Sequence, residues 1–201
     1  MKPHEVQFTH IFRALRHRNF RLFSTGQLIS MIGTWLQIVA VSWLVYRLTN
    51  SAFLLGCVGF ALNFPAFISS PLAGIVADRF DRRRILIWVQ ALSMAQALVM
   101  TVLIFMGMIQ IWHIMVLCVL LGSLNAFELT VRQSFLNDMI DDKNDLGNAI
   151  ALNSSIFNAS RLVGPALAGM LIAAFGEGVC FLLNAISFLP VLGALFLMRM
   201  P

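Results

Sequence analysis

The sequence predicts an all-α membrane protein with six transmembrane helices, and three observations carry this prediction. First, 59% of the 201 residues are hydrophobic and only 11% are charged, whereas soluble domains carry about 25% charged residues. Second, several separate segments are long and apolar enough to cross a bilayer, which takes roughly 20 residues in a helix. Third, the basic residues gather in alternate connections between these segments. The alternation that is typical of barrel strands is absent from the sequence.

A basic segment, residues 1–21, precedes the apolar segments. Residues 8–20 mix apolar side chains with arginines, so both an amphipathic helix on the inner leaflet and a disordered basic tail remain open. The first apolar segment is too long for a signal peptide and leads into further spans, so we expect it to be retained. The predicted spans are residues 22–46, 52–77, 85–106, 111–129, 148–174 and 179–198.

The distribution of basic residues predicts the orientation. Twelve of the 14 Lys and Arg residues lie at the N-terminus or in the connections that follow the even-numbered spans. Arg47 lies on the opposite side, and Arg161 lies within a span. Because cytoplasmic loops carry the excess of Lys and Arg, we expect both termini to be cytoplasmic in a multi-pass cell-membrane protein (an inner or plasma membrane). The net charge of +5 then belongs to loops at the lipid surface, and we expect no nucleic-acid partner.

The densest charge lies between the second and third spans. The stretch Gly74-Ile-Val-Ala-Asp78-Arg79-Phe-Asp81-Arg82-Arg83-Arg84 resembles the loop 2–3 signature of the major facilitator superfamily of secondary transporters. Asp81 stands where that family usually has a second glycine. The resemblance implies a latch between two transporter halves in the outward-facing state, and a simple topology signal is the alternative. The latch residues would be Gly74, Asp78, Arg79, Arg82 and Arg83.

Superfamily transporters consist of two six-helix halves with the substrate between them. The resemblance therefore implies that residues 22–198 form one such half, the N-terminal one, and that residues 199–201 begin the central cytoplasmic linker. It also implies a C-terminal six-helix half as partner, from the same gene or from a second chain. A fragment of a longer transporter, a split transporter and a chain that is inactive alone all remain open.

The first span carries Gln27, Ser30, Thr34 and Gln37 at positions that share one face of a helix. Such a polar stripe is typical of a helix that lines a central substrate path. The alternative is hydrogen bonding between helices, which contributes about 0.6 kcal/mol per contact. We expect the stripe to line the path.

Ser154, Asn158 and Arg161 share a face of the fifth span. An arginine at this depth costs at least about 2.5–3.5 kcal/mol on insertion scales, so Arg161 should face protein or water. The pattern favours a polar cavity whose positive charge meets an anionic substrate group or an acidic partner. A clamp onto the backbone carbonyls of a neighbouring helix is the alternative.

Further along the same span, Gly164-Pro165-Ala-Leu-Ala-Gly169 resembles the fifth-helix antiporter motif of the superfamily's drug exporters. Ala151 and Ser160 stand where that motif has glycines. The resemblance implies a bend and a close helix contact that restricts leak, and hence export by antiport.

Glu128 closes the predicted fourth span, which places it near the inner interface. A carboxyl group there can exchange protons with the cytoplasm, or it can pair with Arg132 one turn further on. The stretch Phe127-Glu128-x-x-x-Arg132-Gln133 is similar to a bacterial exporter branch that includes the enterobactin exporters, with Thr130 where that branch often has proline.

These observations predict secondary active efflux of a small molecule, such as a drug or a siderophore, with the proton as coupling ion. A homo-oligomeric channel or scaffold and an inactive fragment are the alternatives. We expect no enzyme activity, since no Gly-x-Ser-x-Gly or His-Glu-x-x-His pattern occurs. We expect no cofactor and no metal site, because Cys57, Cys118 and Cys180 lie in apolar runs without ligand spacing.

Overall fold

The computed structural model describes residues 13–140 and 142–198. The predictions for residues 1–12 and 199–201 lie outside the described residues. The described chain contains six α-helices, each long and apolar enough to cross a membrane, and no strand. The predicted all-α, six-span fold class is thus confirmed. The helices are α1 (Arg18–Thr49), α2 (Ala52–Arg79), α3 (Arg82–Phe105), α4 (Ile111–Asp138), α5 (Leu146–Phe175) and α6 (Glu177–Leu197).

Several helices continue beyond the spans expected from the sequence. The largest difference is in α4, which ends at Asp138 and not near residue 129. The expectation counted apolar residues, but a helix does not end where the hydrocarbon ends. With 32 residues, α1 is about 48 Å long, whereas the hydrocarbon core is about 30 Å thick. The charged ends of the helices therefore reach the aqueous interface.

Local signals start α2 and α3. The Ser51 hydroxyl accepts a hydrogen bond from Leu54 N at 3.3 Å, and Asp81 Oδ1 accepts one from Arg84 N at 3.1 Å. Each bond satisfies one of the backbone N–H groups that the first turn of a helix leaves unpaired. Asp81, the departure from the family signature, is thus the N-cap residue of α3.

The helix contacts follow a symmetric pattern. α1 packs mainly against α5 and α6, α4 packs mainly against α2 and α3, and α3 also contacts α6. This pattern is unchanged when the first three helices are exchanged with the last three. Such symmetry is typical of transporters that consist of repeated three-helix units. The repeat is visible in the packing, although no repeat can be detected in the sequence.

The bundle interior has two apolar clusters, one toward each end of the helices. The cluster at the end where α1 begins and α6 ends includes Phe20, Phe135 and Leu195. The cluster at the other end includes Leu44 and Phe181. Together they fix the relative positions of α1, α3, α4 and α6.

Buried amides connect α1, α3 and α6 within the bundle. Asn184 Nδ2 donates to Gln37 Oε1 at 2.5 Å, and Gln37 Nε2 donates to Gln96 Oε1 at 2.9 Å. Gln96 Nε2 in turn donates to the Leu117 carbonyl of α4 at 3.3 Å. All three amides are buried. We call Gln37, Gln96 and Asn184 the amide network.

A short 3₁₀ helix, Arg13–Arg16, connects the region before α1 to the start of α5. The Ala14 backbone N–H donates to Asn148 Oδ1 at 2.9 Å. Arg13 Nε and His17 Nε2 lie 2.8 and 3.2 Å from the two carboxylate oxygens of Asp145. Asp145 is buried, so this charge is compensated by groups from the N-terminal segment.

Candidate functional site

A cavity of about 310 Å³ lies between α1, α2, α4 and α5. Most of its wall is apolar, but polar side chains from α1, α2 and α4 converge in it. Pockets of this size and composition, with few polar groups among apolar ones, are typical of small-molecule sites. The lining residues are Gln27, Ser30, Met31, Thr34, Trp35, Ile38, Asn63, Asn125, Glu128, Leu129, Arg132 and Phe157.

The two charged groups in the cavity wall, Glu128 and Arg132, lie one turn apart on α4. The sequence predicts Glu128 near the inner interface, and α4 continues for ten residues beyond it, or about 15 Å. The depth of Glu128 in a membrane stays a prediction. Arg132, expected at the interface as well, is 3% exposed within the helix bundle.

Gln27 and Arg132 both contact the same oxygen of Glu128. Gln27 Nε2 donates a hydrogen bond to Oε1 at 2.6 Å. Arg132 Nη1 lies 3.6 Å from this oxygen, which is an ionic contact but too long for a good hydrogen bond. The side chain of Glu128 is 16% exposed. The carboxylate is thus anchored through one oxygen.

The guanidinium of Arg132 has few partners for a buried charge. Its Nη1 atom also contacts Met31 Sδ at 3.7 Å, and its Nε atom is buried without a hydrogen-bond partner in the described chain. Gln27 Oε1 is likewise buried and without a partner there. Buried polar groups normally have hydrogen-bond partners, and each exception calls for an explanation such as a functional role. The cluster therefore has unused hydrogen-bonding capacity beside the cavity.

The polar stripe of α1 divides between two environments. Gln27, Ser30 and Thr34 line the cavity as expected, and the Thr34 hydroxyl also donates to the Ser30 carbonyl at 3.0 Å. Gln37, which was expected to line the same path, is not among the lining residues and belongs to the amide network. The reason is that the stripe extends over 11 residues of α1, from Gln27 beside the cavity to Gln37 at the contact with α6.

The polar face of α5 lies at the surface of the bundle. Ser154, Asn158 and Arg161 are exposed, and Asn158 Nδ2 donates to the Ser154 carbonyl at 2.9 Å. The Arg161 guanidinium lies over the Trp35 ring, 5.8 Å from its centroid. Arg161 forms no ion pair with any residue in the described ranges. Since Trp35 also lines the cavity, this cation lies next to the cavity wall.

The antiporter-like segment contacts α1 through its first glycine. A Cβ atom on Gly164 would lie 2.4 Å from Trp35 Cβ and 3.2 Å from the Ile32 carbonyl oxygen. Only a glycine therefore permits the observed approach of α5 to α1. Pro165 follows within the helix, and the position of a Cβ atom on Gly169 is open.

Two arginines of the charged hairpin have partners within the bundle. Arg82 Nη1 donates to both carboxylate oxygens of Asp138 at 2.9 Å. Arg83 donates from Nε to the Leu195 carbonyl at 2.7 Å and from Nη2 to the Phe196 carbonyl at 3.1 Å. These carbonyls belong to the last turn of α6, which has no backbone donors for them. Arg82 thus joins α3 to α4, and Arg83 joins α3 to α6.

The other charged residues of the hairpin signature remain available. Asp78 and Arg79 are exposed and form no hydrogen bond or ion pair with the described part of the chain. Gly74, one turn earlier on α2, has no atom within 4 Å of the position of a Cβ atom. This end of α2 therefore presents a small residue and free charges to whatever lies beside it.

Sequence reasoning missed some polar residues at the site. Asn63 of α2 lines the cavity, and it was not among the expected site residues. Asn125 lines it one turn before Glu128. An amide is rare in an apolar span, and this rarity could have pointed to both residues. It does not separate them from amides that pack between helices, such as Asn184. Over the described ranges, no group of three or more His, Cys, Asp or Glu residues is placed to hold a metal ion.

Six apolar spans, four of which enclose a cavity with converging polar side chains, define the chain as a multi-pass membrane protein with the architecture of a transporter. The family model described as "Transmembrane secretion effector" matches residues 9–201. The chain therefore belongs to this family of the major facilitator superfamily, as the hairpin signature suggested.

Curated relatives agree with this assignment. The chain is 30% identical over 169 residues to the staphyloferrin A transporter of Staphylococcus aureus, covering 84% of this chain and 42% of the relative. It is 25% identical over 169 residues to macrolide efflux protein A of Streptococcus pyogenes, covering 84% and 40%. It is 28% identical over 148 residues to the multidrug efflux pump Tap of Mycolicibacterium fortuitum, covering 72% and 36%. The chain thus spans about two fifths of the length of the curated relatives it matches.

Proposed function

We propose that this chain is the N-terminal half of a secondary transporter that exports a small molecule across the cell membrane. The observation that carries the proposal is the cavity with the Glu128–Arg132 pair in its wall. A charged pair inside a membrane bundle is costly, and such groups typically mark a substrate or ion pathway. The length of the relatives, more than twice that of the matched region, is consistent with a second half.

The surface of the bundle supports a partner of similar size beside α2 and α5. These are the two least buried spans of the six. Arg161 is exposed in the middle of α5. Contact of its charge with lipid there would cost at least about 2.5–3.5 kcal/mol on insertion scales. A Cβ atom added to Gly56 or Gly59 on α2 would meet no atom of another part of the described chain within 4 Å. A C-terminal six-helix half, from the same gene or a second chain, would cover these faces.

In this arrangement, the exposed hairpin residues Asp78 and Arg79 contact the second half as part of a latch, with Gly74 permitting the close approach. Arg82 and Arg83 hold the hairpin in place through their bonds to α4 and α6. This divides the five signature residues into a group that faces outward and a group that supports it.

Proton antiport is the proposed coupling, with Glu128 as the proton-binding group. Its carboxyl group lies beside the cavity and is partly exposed, so it can exchange a proton there. The Gly164-Pro165 segment, similar to the antiporter motif, holds α5 against the cavity wall. Arg161 supplies a positive charge at the edge of the same cavity.

The relatives suggest substrates with which to begin. Their names refer to staphyloferrin A, to macrolides and to multiple drugs, so we propose a siderophore or a drug as substrate. The orientation proposed from the basic loops, with both termini in the cytoplasm, places the charged hairpin on the inner face of the membrane.

The test is transport by the complete transporter that contains this chain, in inside-out vesicles with an imposed proton gradient. A panel of macrolides, dyes and siderophores serves as candidate substrates. We expect gradient-dependent uptake of at least one substrate and its loss in Glu128→Gln. Ser123→Ala, on the opposite side of α4, is the matched control and should retain uptake.

Two results would contradict the proposal. Substrate flux that is unaffected by the proton gradient would exclude antiport and favour a channel. Uptake that persists in Glu128→Gln with its gradient dependence intact would remove Glu128 from the coupling mechanism.

A further inference from the structure

The hydrogen bond between Gln27 and Glu128 connects α1 to the carboxyl group in the cavity. Its donor–acceptor distance of 2.6 Å is short for an N–H···O bond. Because the acceptor is a carboxylate, the bond is charge-assisted and stronger than an amide–amide bond. We propose that Gln27 is the positioning residue of Glu128, an inference that rests on the proposed role of Glu128 in coupling.

The bond directs one oxygen inward and leaves the other free. Oε1 contacts both Gln27 and Arg132, whereas Oε2 has no hydrogen-bond partner in the described chain. Oε2 is therefore the atom that meets a proton or a donor group of a substrate in the cavity. Without Gln27, the flexible glutamate would be held only by a 3.6 Å contact to its own helix neighbour.

Gln27 is itself held firmly. Its side chain is 1% exposed, and the preceding residue, Gly26, lies against the α6 backbone. A Cβ atom on Gly26 would come within 2.7 Å of Val191 Cα. Because α1 and α6 meet this closely, Gln27 cannot withdraw from Glu128 without moving a packed helix.

An amide is suited to both protonation states of Glu128. Gln27 Nε2 donates to the ionised carboxylate as observed. When Oε2 takes a proton, Oε1 remains the carbonyl oxygen of the neutral acid, and Gln27 Nε2 can keep donating to it. One donor therefore serves both protonation states.

Few other charged groups in the cavity wall could position Glu128. The lining residues of α1, α2 and α5, which include Asn63 and Phe157, carry no charge, and α4 contributes Arg132. Arg161 of α5 is turned toward the Trp35 ring. Gln27 is therefore the neutral group in this lining that bonds Glu128 directly.

The experiment follows the carboxyl group itself by infrared difference spectroscopy during acidification of the complete transporter in nanodiscs. The C=O band of neutral Glu128 is identified by its loss in Glu128→Gln. We expect Gln27→Met, similar in size but unable to bond, to shift this band to higher frequency, because a carboxylic acid without a hydrogen bond absorbs there. Gln27→Asn, which keeps the amide but shortens its reach, should give the same shift if Gln27→Met does not fold.

Gln37→Met is the matched control, since Gln37 is an equally buried glutamine of α1 that bonds Gln96 and Asn184 instead. It should lower thermal stability without moving the Glu128 band. A band that stays in place in both Gln27 variants would overturn the positioning role alone. The proposed function fails separately, if no band disappears in Glu128→Gln or if transport does not depend on the proton gradient.

Discussion

Gly33 of α1 faces Asn184 of α6 so closely that a Cβ atom on Gly33 would lie 2.6 Å from Asn184 Oδ1. One turn along α1, Gln37 accepts a hydrogen bond from the same asparagine. Because Gly33 has no side chain, α6 approaches α1 closely enough for Asn184 to bond Gln37 one turn further along. In a bilayer, where apolar burial does not drive helix association, such small residues and interhelical hydrogen bonds hold helices together.

The amide network should therefore behave as one unit. Gln37→Leu leaves Gln96 Oε1 and Asn184 Nδ2 without their buried partner, and Asn184→Leu leaves Gln37 Oε1 without its donor. Because a stranded buried group costs about 1–3 kcal/mol, we expect each variant to lower the thermal midpoint in detergent. The double variant should cost less than the sum of the two single changes. Additive effects would show that the amides act independently.

A glycine of α4 should be equally sensitive for a different reason. A Cβ atom on Gly122 would lie 2.3 Å from the Leu62 carbonyl oxygen, which is backbone and cannot rotate away. We expect Gly122→Ala to destabilise the bundle by about 1–3 kcal/mol, as overpacking does. Gly193→Ala on α6, where nothing lies within 4 Å, should be neutral or slightly stabilising. Equal midpoints for the two variants would contradict the observed approach of α4 to α2.

The fold could be predicted because long apolar segments and the positions of charges depend on the bilayer alone. The ends of the helices could not be predicted in the same way. Arg132 of α4 is buried inside the bundle, whereas an arginine at the end of an apolar segment is expected at the membrane interface. The order in which the helices pack could not be predicted from the sequence either. It depends on close approaches such as those at Gly33 and Gly122, and a glycine gives the same signal in a packed face and an open one.

The site could be predicted in part. Glu128, Gln27 and Thr34 line the cavity, and each was singled out as a polar residue in an apolar span. Gln37 gave the same signal but lies in the amide network. Polarity shows that a side chain needs a partner, and only tertiary structure shows whether that partner is another helix or the contents of a cavity. The roles of these residues in transport stay predictions.

The hairpin residues should separate into two classes when mutated. Arg83→Ala removes two hydrogen bonds to the last turn of α6, so we expect a loss of about 1 kcal/mol in stability. Asp78→Asn removes no contact within the described residues, so the thermal midpoint should not change. If Asp78 belongs to a latch, transport should nevertheless fall sharply in that variant. A lower midpoint in Asp78→Asn would indicate a structural role instead.

Arg161 is expected to be needed for transport but not for folding. Its contact in the described chain is with the Trp35 ring, and such an interaction contributes about 0.5–1 kcal/mol at exposed sites. Arg161→Ala should therefore insert normally and lose export, whereas Leu162→Ala, also exposed, should keep it. Insertion is measured by membrane fractionation and export by efflux from cells. Unchanged export in Arg161→Ala would reduce Arg161 to a packing residue.

The proposed orientation can be tested at the two ends of α3. Arg84 at its start has an 84% exposed side chain, and Met108 beyond its end is also exposed. In a background with Cys57, Cys118 and Cys180 replaced, a membrane-impermeant maleimide added to intact cells should label Met108→Cys. It should label Arg84→Cys only after the cells are opened. Because α3 crosses the membrane once, the two sites must lie on opposite sides of it. Labelling of Arg84→Cys from outside would show that every span has the opposite orientation. The hairpin would then lie outside the cell, where the positive-inside rule does not permit so many arginines, and Glu128 could not exchange protons as proposed.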